Sequence, residues 1–313
     1  MTKTTTMRAA RLHAFGDASV IRHDEVPRPR PGAGEVLLRV AATSFNPTEA
    51  ALRAGLLQSF LPVRLPYSPG WDVAGTVEEL GQEARGFAVG DRVVGWLEEA
   101  GAAAEYVRAP AARLVPAPRS VPLAHAAALP LAGLTAWQAV VEHGRVAAGQ
   151  RVLVNGAGGG IGGFVTRLAK HAGAEVFATA SARSARAVRR QGADHLIDHT
   201  AGPVAAALDH PVDTLFNLVP LAPPAAAALT PAVRPGGLVV SVTGPIEPPA
   251  TTGIRSVHVT ARNDPAQLAA LVRLVDAGTL VLDISASYPL SDLAEVHRRS
   301  EAGRLRGKVL VVP

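Results

Sequence analysis

The residues with the clearest capacity for chemistry are Val152-Leu153-Val154-Asn155-Gly156-Ala157-Gly158-Gly159-Gly160-Ile161-Gly162-Gly163. An apolar run leads into a glycine-rich turn and then into a helical pattern. Glycine lets backbone N–H groups approach a diphosphate with no Cβ in the way. The first turn of a helix adds free N–H donors and about half a positive charge. Such a segment holds a pyrophosphate without any cationic side chain. The literal GxGxxG spacing falls on Gly158, Gly160 and Gly163. A second register, Ala157, Gly159 and Gly162, begins on alanine, and spacing alone leaves both open. The expected diphosphate contacts are therefore the shared loop: Gly158, Gly159, Gly160, Ile161 and Gly162. A glycine-rich turn with no ligand is the competing reading. The strand before the turn and the helix after it, within a βαβ unit, favour the dinucleotide.

About 20 residues on, an NAD site carries an acid that accepts from the ribose 2′-OH. Here the corresponding segment is Thr179-Ala180-Ser181-Ala182-Arg183. A carboxylate repels a 2′-phosphate, whereas a hydroxyl and a guanidinium bond it through charge-assisted hydrogen bonds. Ser181 and Arg183 thus point to NADPH/NADP+. The plainer alternatives are a helix N-cap for Ser181 and an exposed helix arginine for Arg183.

The elements that position these groups follow from pattern. Strands at Val152–Asn155, Glu175–Thr179, Leu196–Asp198, Thr214–Leu218 and Leu238–Val242 alternate with helical stretches, which predicts a parallel sheet with crossover helices. Ile161, Phe164, Val165, Leu168, Ala169 and Ala172 make one apolar face of the helix after the glycines. Ser256–Thr260 reads as a sixth strand at the sheet edge. Before residue 130 the chain reads as short strands and turns: Glu35–Val40, Asp72–Glu79, Asp91–Gly95 and Ala103–Val107. After 260 come a helix (266–277), a strand near 286–288, a helix (291–301) and a strand at Lys308–Val312.

Composition sets the bounds. A chain of 313 residues predicts about two domains. With 48% hydrophobic and 18% charged residues it is a folded protein. The net charge of +5 is spread along the chain, which argues against nucleic acid. There is no cysteine, which excludes thiolate metal sites, thiol nucleophiles and CxxC redox chemistry. The histidines show neither HExxH nor a carboxylate cluster. Two long uncharged stretches, Val121–Val141 and Thr214–Val233, carry too many prolines for membrane helices and read as buried core. The N-terminal MTKTTTMRAA lacks the apolar core of a signal peptide, so the expected location is cytoplasmic.

Eleven segments, in order, give the chain a family resemblance: MRAARLHAFGDASVI, VPRPRPGAGEVLLRV, SFNPTEAALRAG, LPYSPGWDVAGTVEELG, FAVGDRVVG, AEYV, AAALPLAGLTAWQAV, VLVNGAGGGIG, QGADHLIDH, RPGGLVVSVTG and GRLRGKVLVVP. From Met7 to the C-terminus it resembles the zinc-independent quinone oxidoreductase (zeta-crystallin-like) branch of the medium-chain dehydrogenase/reductase superfamily. The resemblance implies an α/β fold: a GroES-like, mostly-β catalytic domain from 1–128 and 263–313, and a Rossmann doubly wound parallel sheet over 129–262. It implies a homodimer joined through the edge strand near 256–260. It places Asn46 beside the nicotinamide and its ribose, and Thr135, Thr243 and Gly244 near the nicotinamide. Leu218 and Val219 pass over the cofactor, and Lys308 reaches toward it. His199 stands where the family often has a tyrosine near the 2′-phosphate, and reads either as a phosphate donor or as a surface residue. Glu49 replaces the aspartate of the family's NxxD.

The zinc-dependent relatives use a cysteine, a Gly-His-Glu motif and a further cysteine. This chain has Asn46 at the first place and Gly70-Trp71-Asp72 at the second. Without a Lewis acid, an isolated ketone is a poor hydride acceptor, whereas a quinone or enone spreads the developing charge over a conjugated system. The expected partner is a small-molecule quinone or enone acceptor. The expected catalytic residues are Asn46, Tyr67 and Thr135. Tyr67 reads as a hydrogen-bond donor to the acceptor or as a packed loop residue, and Trp71 and Phe60 as an apolar floor or as core. The YxxxK proton relay is absent. Two alternatives stay open: an enoyl or alkenal reductase, and a non-catalytic NADPH-binding sensor or structural protein.

Overall fold

The computed structural model describes residues 5–313; the first four residues of the N-terminal segment lie outside it. Two compact units form. The first comprises residues up to Leu131 with Asn263–Asp276 and Ile284–Pro313, and the second comprises Ala132–Arg262 with Ala277–Asp283. Residues 277–283, read above with the C-terminal half of the catalytic domain, thus fold with the second unit.

In the first unit, β1 (Thr6–Leu12) pairs antiparallel with β2 (Ile21–Pro27). The main sheet holds β3 (Glu35–Phe45), β4 (Asp72–Leu80), β5 (Arg92–Trp96), β6 (Tyr106–Pro110) and β7 (Leu114–Pro116). Strand β3 is central: β4 and β6 both pair with it antiparallel. The strand expected over Ala103–Val107 begins only at Tyr106. Ala102 and Ala103 instead donate to the carbonyls of Gly70 and Pro69, so this stretch follows the 69–70 turn and not the ladder. A Cβ on Gly70 would sit 2.5 Å from the Ala103 nitrogen, so only glycine permits this approach. Helix α1 (Pro47–Arg53) starts on an Asn46 N-cap with Pro47 in its first turn and Glu49 at the third position, a capping box. A short α2 (Leu123–Ala126) follows.

In the second unit, α3 (Pro130–Trp137), which begins at the end of the first, continues into a π-helical segment, Gln138–His143. Then come β8 (Arg151–Asn155), α4 (Gly162–His171), β9 (Glu175–Ala180), α5 (Ala182–Arg190), β10 (His195–Asp198), β11 (Val212–Asn217), α6 (Pro223–Leu229), β12 (Val233–Ser241) and β13 (Arg255–His258). The sheet order is β10-β9-β8-β11-β12-β13, and every pairing is parallel. The central strands are buried on both faces, which explains their unbroken apolar runs. Phe164, Val165, Leu168 and Ala169 of α4 are buried, as the helical spacing predicts. The uncharged stretch 121–141, short helices and a π segment, is largely buried, whereas in 214–233 the strand is buried but residues 222–225 of the following turn and helix are exposed, so only part of that stretch is core. No helix among the described residues is long and apolar enough to cross a membrane.

The chain then completes the first unit with α7 (Pro265–Asp276), β14 (Ile284–Pro289), α8 (Leu293–Glu301) and β15 (Lys308–Val312). Strand β15 lies between β14, parallel, and β3, antiparallel. One core cluster therefore joins Leu12, Phe45, Leu52 and Trp71 with Leu290, Leu293, Val296, Val309 and Val311.

Candidate functional site

In the second unit the polar groups gather at the carboxyl ends of the parallel strands, where β8 and β11 meet and the strand order reverses. Open α/β sheets bind ligands at such a switch point. The turn after β8 distinguishes the two glycine registers. A Cβ on Gly162 would lie 2.5 Å from the Ala157 Cα and 2.5 Å from its carbonyl oxygen, so Gly162 is the glycine that brings helix and strand together. Gly163 faces the end of the flexible Gln191 side chain. This close approach is the one that the third glycine of the Ala157, Gly159, Gly162 spacing makes. Gly158 packs against Ser184 of α5, with a Cβ there 2.6 Å from the Ser184 Cβ. Gly159 has only the Gly156 carbonyl near, at 3.4 Å. Its bare backbone faces space that a side chain would fill, the geometry a diphosphate needs. Gly156 has φ +93°, and a Cβ on it would lie 2.7 Å from Val219.

A buried polar chain, not anticipated from the sequence, crosses the same strand ends. The Gly156 N–H donates to Thr179 Oγ1 at 2.8 Å, and Thr179 donates to Asn155 Oδ1 at 3.2 Å. Asn155 Nδ2 donates to Asn217 Oδ1 at 2.9 Å. Asn217 Nδ2 faces the Val219 carbonyl at 2.9 Å, Ser241 Oγ at 3.2 Å and Thr243 Oγ1 at 3.3 Å. Thr243 in turn donates to the Val219 carbonyl at 2.9 Å. Strands β9, β8, β11 and β12 are thus tied at one edge, and Leu218, Val219 and Thr243 are fixed by it. A Cβ on Gly244 would meet nothing within 4 Å. The available signal was a polar residue closing each apolar strand: VLVN, TLFN and VVS. Asn217→Ala leaves two buried groups, Asn155 Nδ2 and Ser241 Oγ, without this partner, at about 1–3 kcal/mol each. It is expected to lower the thermal midpoint by several degrees and to weaken dinucleotide binding. Unchanged values in calorimetry and fluorescence titration would remove this role.

Ser181 is the N-cap of α5, and its N–H donates to Ser184 Oγ at 3.1 Å. Arg183 is exposed in the first turn of that helix. Ala180 pairs in register with Asp198, so Ser181 and His199 leave adjacent strands at the same level. His199 is exposed, and the Asp198 carboxylate accepts from Thr200 N at 2.9 Å and Thr200 Oγ1 at 2.6 Å. Thr135, in α3, is buried.

The first unit holds a second polar cluster. Asn46 Nδ2 donates to Asp72 Oδ2 at 3.0 Å and faces the Ser44 carbonyl at 3.3 Å. Asn46 Oδ1 accepts from Lys308 Nζ at 2.8 Å. Lys308 therefore reaches Asn46, and its ammonium lies 3.6 Å from Asp72 Oδ2. Asp72 also accepts from Ser44 Oγ and, at 2.8 Å, from the Leu131 N–H. Glu49 accepts from the Asn46 N–H at 3.0 Å and the Gly70 N–H at 2.7 Å. Burial pushes the Glu49 carboxyl up to about 7, against the lowering effect of those two N–H groups. Burial also lowers the Lys308 ammonium, with Asp72 and Glu49 opposing the shift.

Tyr67 pairs by backbone with Leu12 and packs against the core cluster. Its phenol is pushed upward, first by burial and then by Glu49, so it keeps its proton. Trp71 is buried in that cluster. Phe60 is 86% exposed, in a loop that also exposes Leu56, Leu61 and Leu65, so it belongs to no core. Among the described residues no group of three His, Cys, Asp or Glu side chains is arranged to hold a metal ion.

A mostly-β unit, interrupted in sequence by a six-stranded parallel sheet with a glycine cradle at its switch point, defines a medium-chain dehydrogenase/reductase. Residues 32–119 match the alcohol dehydrogenase GroES-like domain family, and residues 191–311 match the family described as zinc-binding dehydrogenase. The chloroplast envelope quinone oxidoreductase homolog of Arabidopsis thaliana is 32% identical, covering 98% of each chain. The NADPH-dependent alkenal/one oxidoreductase of Arabidopsis thaliana, also chloroplastic, is 32% identical over 98% of this chain and 80% of its own. A mycobacterial protein solved in complex with NADPH superposes with a TM-score of 0.86 at 27% identity, over 98% of this chain and 100% of that one. The chain belongs to the quinone oxidoreductase family of the medium-chain dehydrogenase/reductase superfamily.

Proposed function

We propose that the protein is an NADPH-dependent reductase of quinones and related conjugated carbonyls. The carrying observation is the bare cradle at Gly159, closed by the Gly162 approach, at the carboxyl edge of the parallel sheet. Backbone N–H groups of the 158–162 turn and the start of α4 would hold the diphosphate of NADPH. Ser181, Arg183 and His199 would face its 2′-phosphate, since they leave adjacent strand ends and no carboxylate follows β9. Leu218, Val219, Thr243 and Gly244, held by the Asn217 chain, would border the rest of the dinucleotide. When bound, NADPH supplies a hydride to the acceptor. Asn46, Thr135 and Tyr67 keep the catalytic roles that the family resemblance implies, with Lys308 acting on Asn46. A cytoplasmic location and a homodimer joined through β13 belong to the same reading. Strand β13 ends the sheet with one edge unpaired among the described residues, a natural template for a second copy.

An alkenal or enone reductase on the same scaffold is the second reading, supported by the alkenal/one oxidoreductase relative. Turnover of a small quinone against a 2-enal and an enoyl thioester, at saturating NADPH, separates the two. NADPH binding with no oxidation by any acceptor would leave a non-catalytic binder. Arg183→Ala is expected to weaken NADPH by about tenfold or more, the worth of one charge-assisted hydrogen bond, with little effect on NADH. Equal losses in parallel titrations would remove the 2′-phosphate assignment.

A further inference from the structure

We propose that Asp72 and Lys308 are positioning residues: a buried ion pair that locks the Asn46 side-chain amide in one orientation for the hydride-transfer step. Asp72 is 0% exposed, Lys308 3% and Asn46 6%, so water does not compete for these groups. The lock follows from donor and acceptor chemistry. In the observed orientation Asn46 Oδ1 accepts from the ammonium and Nδ2 donates to the carboxylate. Turning the amide over would place N–H against ammonium and carbonyl oxygen against carboxylate, exchanging two charge-assisted bonds for two repulsions.

A structural role alone explains the pair poorly. Replacing a buried ion pair by apolar side chains is often neutral or stabilising, so burial of charge here adds little to folding. What it provides is a unique amide orientation. Ser44 Oγ and the Leu131 N–H satisfy the remaining capacity of Asp72 and hold it rigid. Three elements that are distant in sequence converge on Asn46: its own junction between β3 and α1, the first residue of β4 and the first residue of β15.

Glu49 adds a proton-dependent element. It faces Asp72 on β4, Lys308 on β15 and Tyr67 ahead of β4, all within its electrostatic reach. With Glu49 protonated, the cluster of Asp72, Lys308 and Glu49 is neutral. Its ionisation, centred at about pH 7, adds a second negative charge that competes with Asp72 for the single ammonium. The lock should therefore loosen on the alkaline side, and Glu49→Gln should remove that limb of the pH profile.

The effect on turnover rests on the reductase reading, whereas the orientation itself does not. The test is the double variant Asp72→Asn/Lys308→Met, compared with wild type at about pH 5.5, where Glu49 is protonated and no lone buried charge remains. The first readout needs neither cofactor nor acceptor: the side-chain amide signals of Asn46 by NMR. The chain has only four asparagines, which makes assignment direct. Wild type is expected to show Asn46 amide protons protected from solvent exchange and displaced in shift from those of a free asparagine, and the double variant signals at free-asparagine shifts with that protection lost, because the amide C–N bond keeps the two protons distinct in both. The second readout is kinetic. The acceptor kcat should fall tenfold or more, with acceptor KM and NADPH Kd within threefold. Unchanged Asn46 signals with kcat within twofold would overturn the proposal. If the double variant does not fold, Lys308→Met alone, which removes the donor to Asn46 Oδ1, is read by the same signals with the same two outcomes. If wild type binds NADPH but reduces no quinone or enone, the functional reading fails while the amide signals still decide this one.

Discussion

Gly159→Ala is expected to weaken NADPH binding by tenfold or more while leaving the thermal midpoint of the protein within about 2 °C, less than the shift that 1 kcal/mol produces in a domain of this size. Gly162→Ala is expected to do the reverse first, lowering the midpoint sharply and losing binding as a consequence. Both add one methyl group, four residues after the strand in one case and seven in the other. At Gly159 the methyl finds only a carbonyl at 3.4 Å, an ordinary contact, so the chain accommodates it. It enters the space where a diphosphate would meet backbone N–H groups, and loss of one such charge-assisted bond is worth about 1.5–3 kcal/mol, tenfold to more than a hundredfold. At Gly162 the methyl meets the Ala157 Cα, the Ala157 oxygen and the Gly156 oxygen, each at 2.5 Å, and these are backbone atoms that cannot swing away. Strand β8 and helix α4 would have to separate, at a cost of about 3 kcal/mol or more, the upper end for an added group in a packed interior. Fluorescence titration and calorimetry on the two variants decide it. If Gly159→Ala binds NADPH like wild type, the cradle is not where the diphosphate sits.

The second large effect concerns pH. His297, on α8, is 1% exposed, neither ring nitrogen has a partner among the described residues, and its ring meets Phe45 edge-on with centroids 4.9 Å apart. Burial, aided by the nearby Arg53 guanidinium, drives its pKa down to about 3. The folded protein thus refuses a proton that the unfolded chain takes up near pH 6.5. Stability therefore falls as pH drops from about 6.5 toward 3, by up to about 1.4 kcal/mol per pH unit. Glu49 acts with opposite sign. Its folded pKa of about 7 lies above the ordinary carboxylate value, so its contribution is complete below about pH 4.5 and is lost as pH rises through 7. His297→Leu is expected to raise the thermal midpoint at pH 5 more than at pH 8, because it removes the acid-linked loss as well as two unsatisfied ring nitrogens. Midpoints measured from pH 4 to 8 that ran parallel for the two proteins would contradict this.

Much of the second unit was legible in the sequence because parallel strands buried on both faces announce themselves as apolar runs. The strands read at 152–155, 175–179, 196–198, 214–218 and 238–242 all formed, with ends shifted by a few residues. The glycine turn was equally visible, but its register was not. That depends on which glycine meets the Ala157 backbone, a three-dimensional fact. The first unit was less legible. TMRAARL and IRHDEVP, which form β1 and β2, place charged residues among the apolar ones and so carry no clear strand signal. Helix α1 was also missed, although its Asn-Pro-x-Glu start carries a recognisable capping pattern. The ion pair at Asn46 was out of reach, since Asp72 and Lys308 lie 236 positions apart and only the pairing of β15 with β3 brings them together.

That pairing has a consequence for how the protein is made. Strand β15 is an interior strand, yet it leaves the ribosome roughly 15–50 s after β3 at ordinary rates of synthesis. The parallel sheet of the second unit is wholly translated long before then and is free to fold on the nascent chain. The first unit waits with the flank of β3 open. Its closure waits for β15, and until that strand emerges the unpaired edge of β3 is open for chaperones or proteases to find.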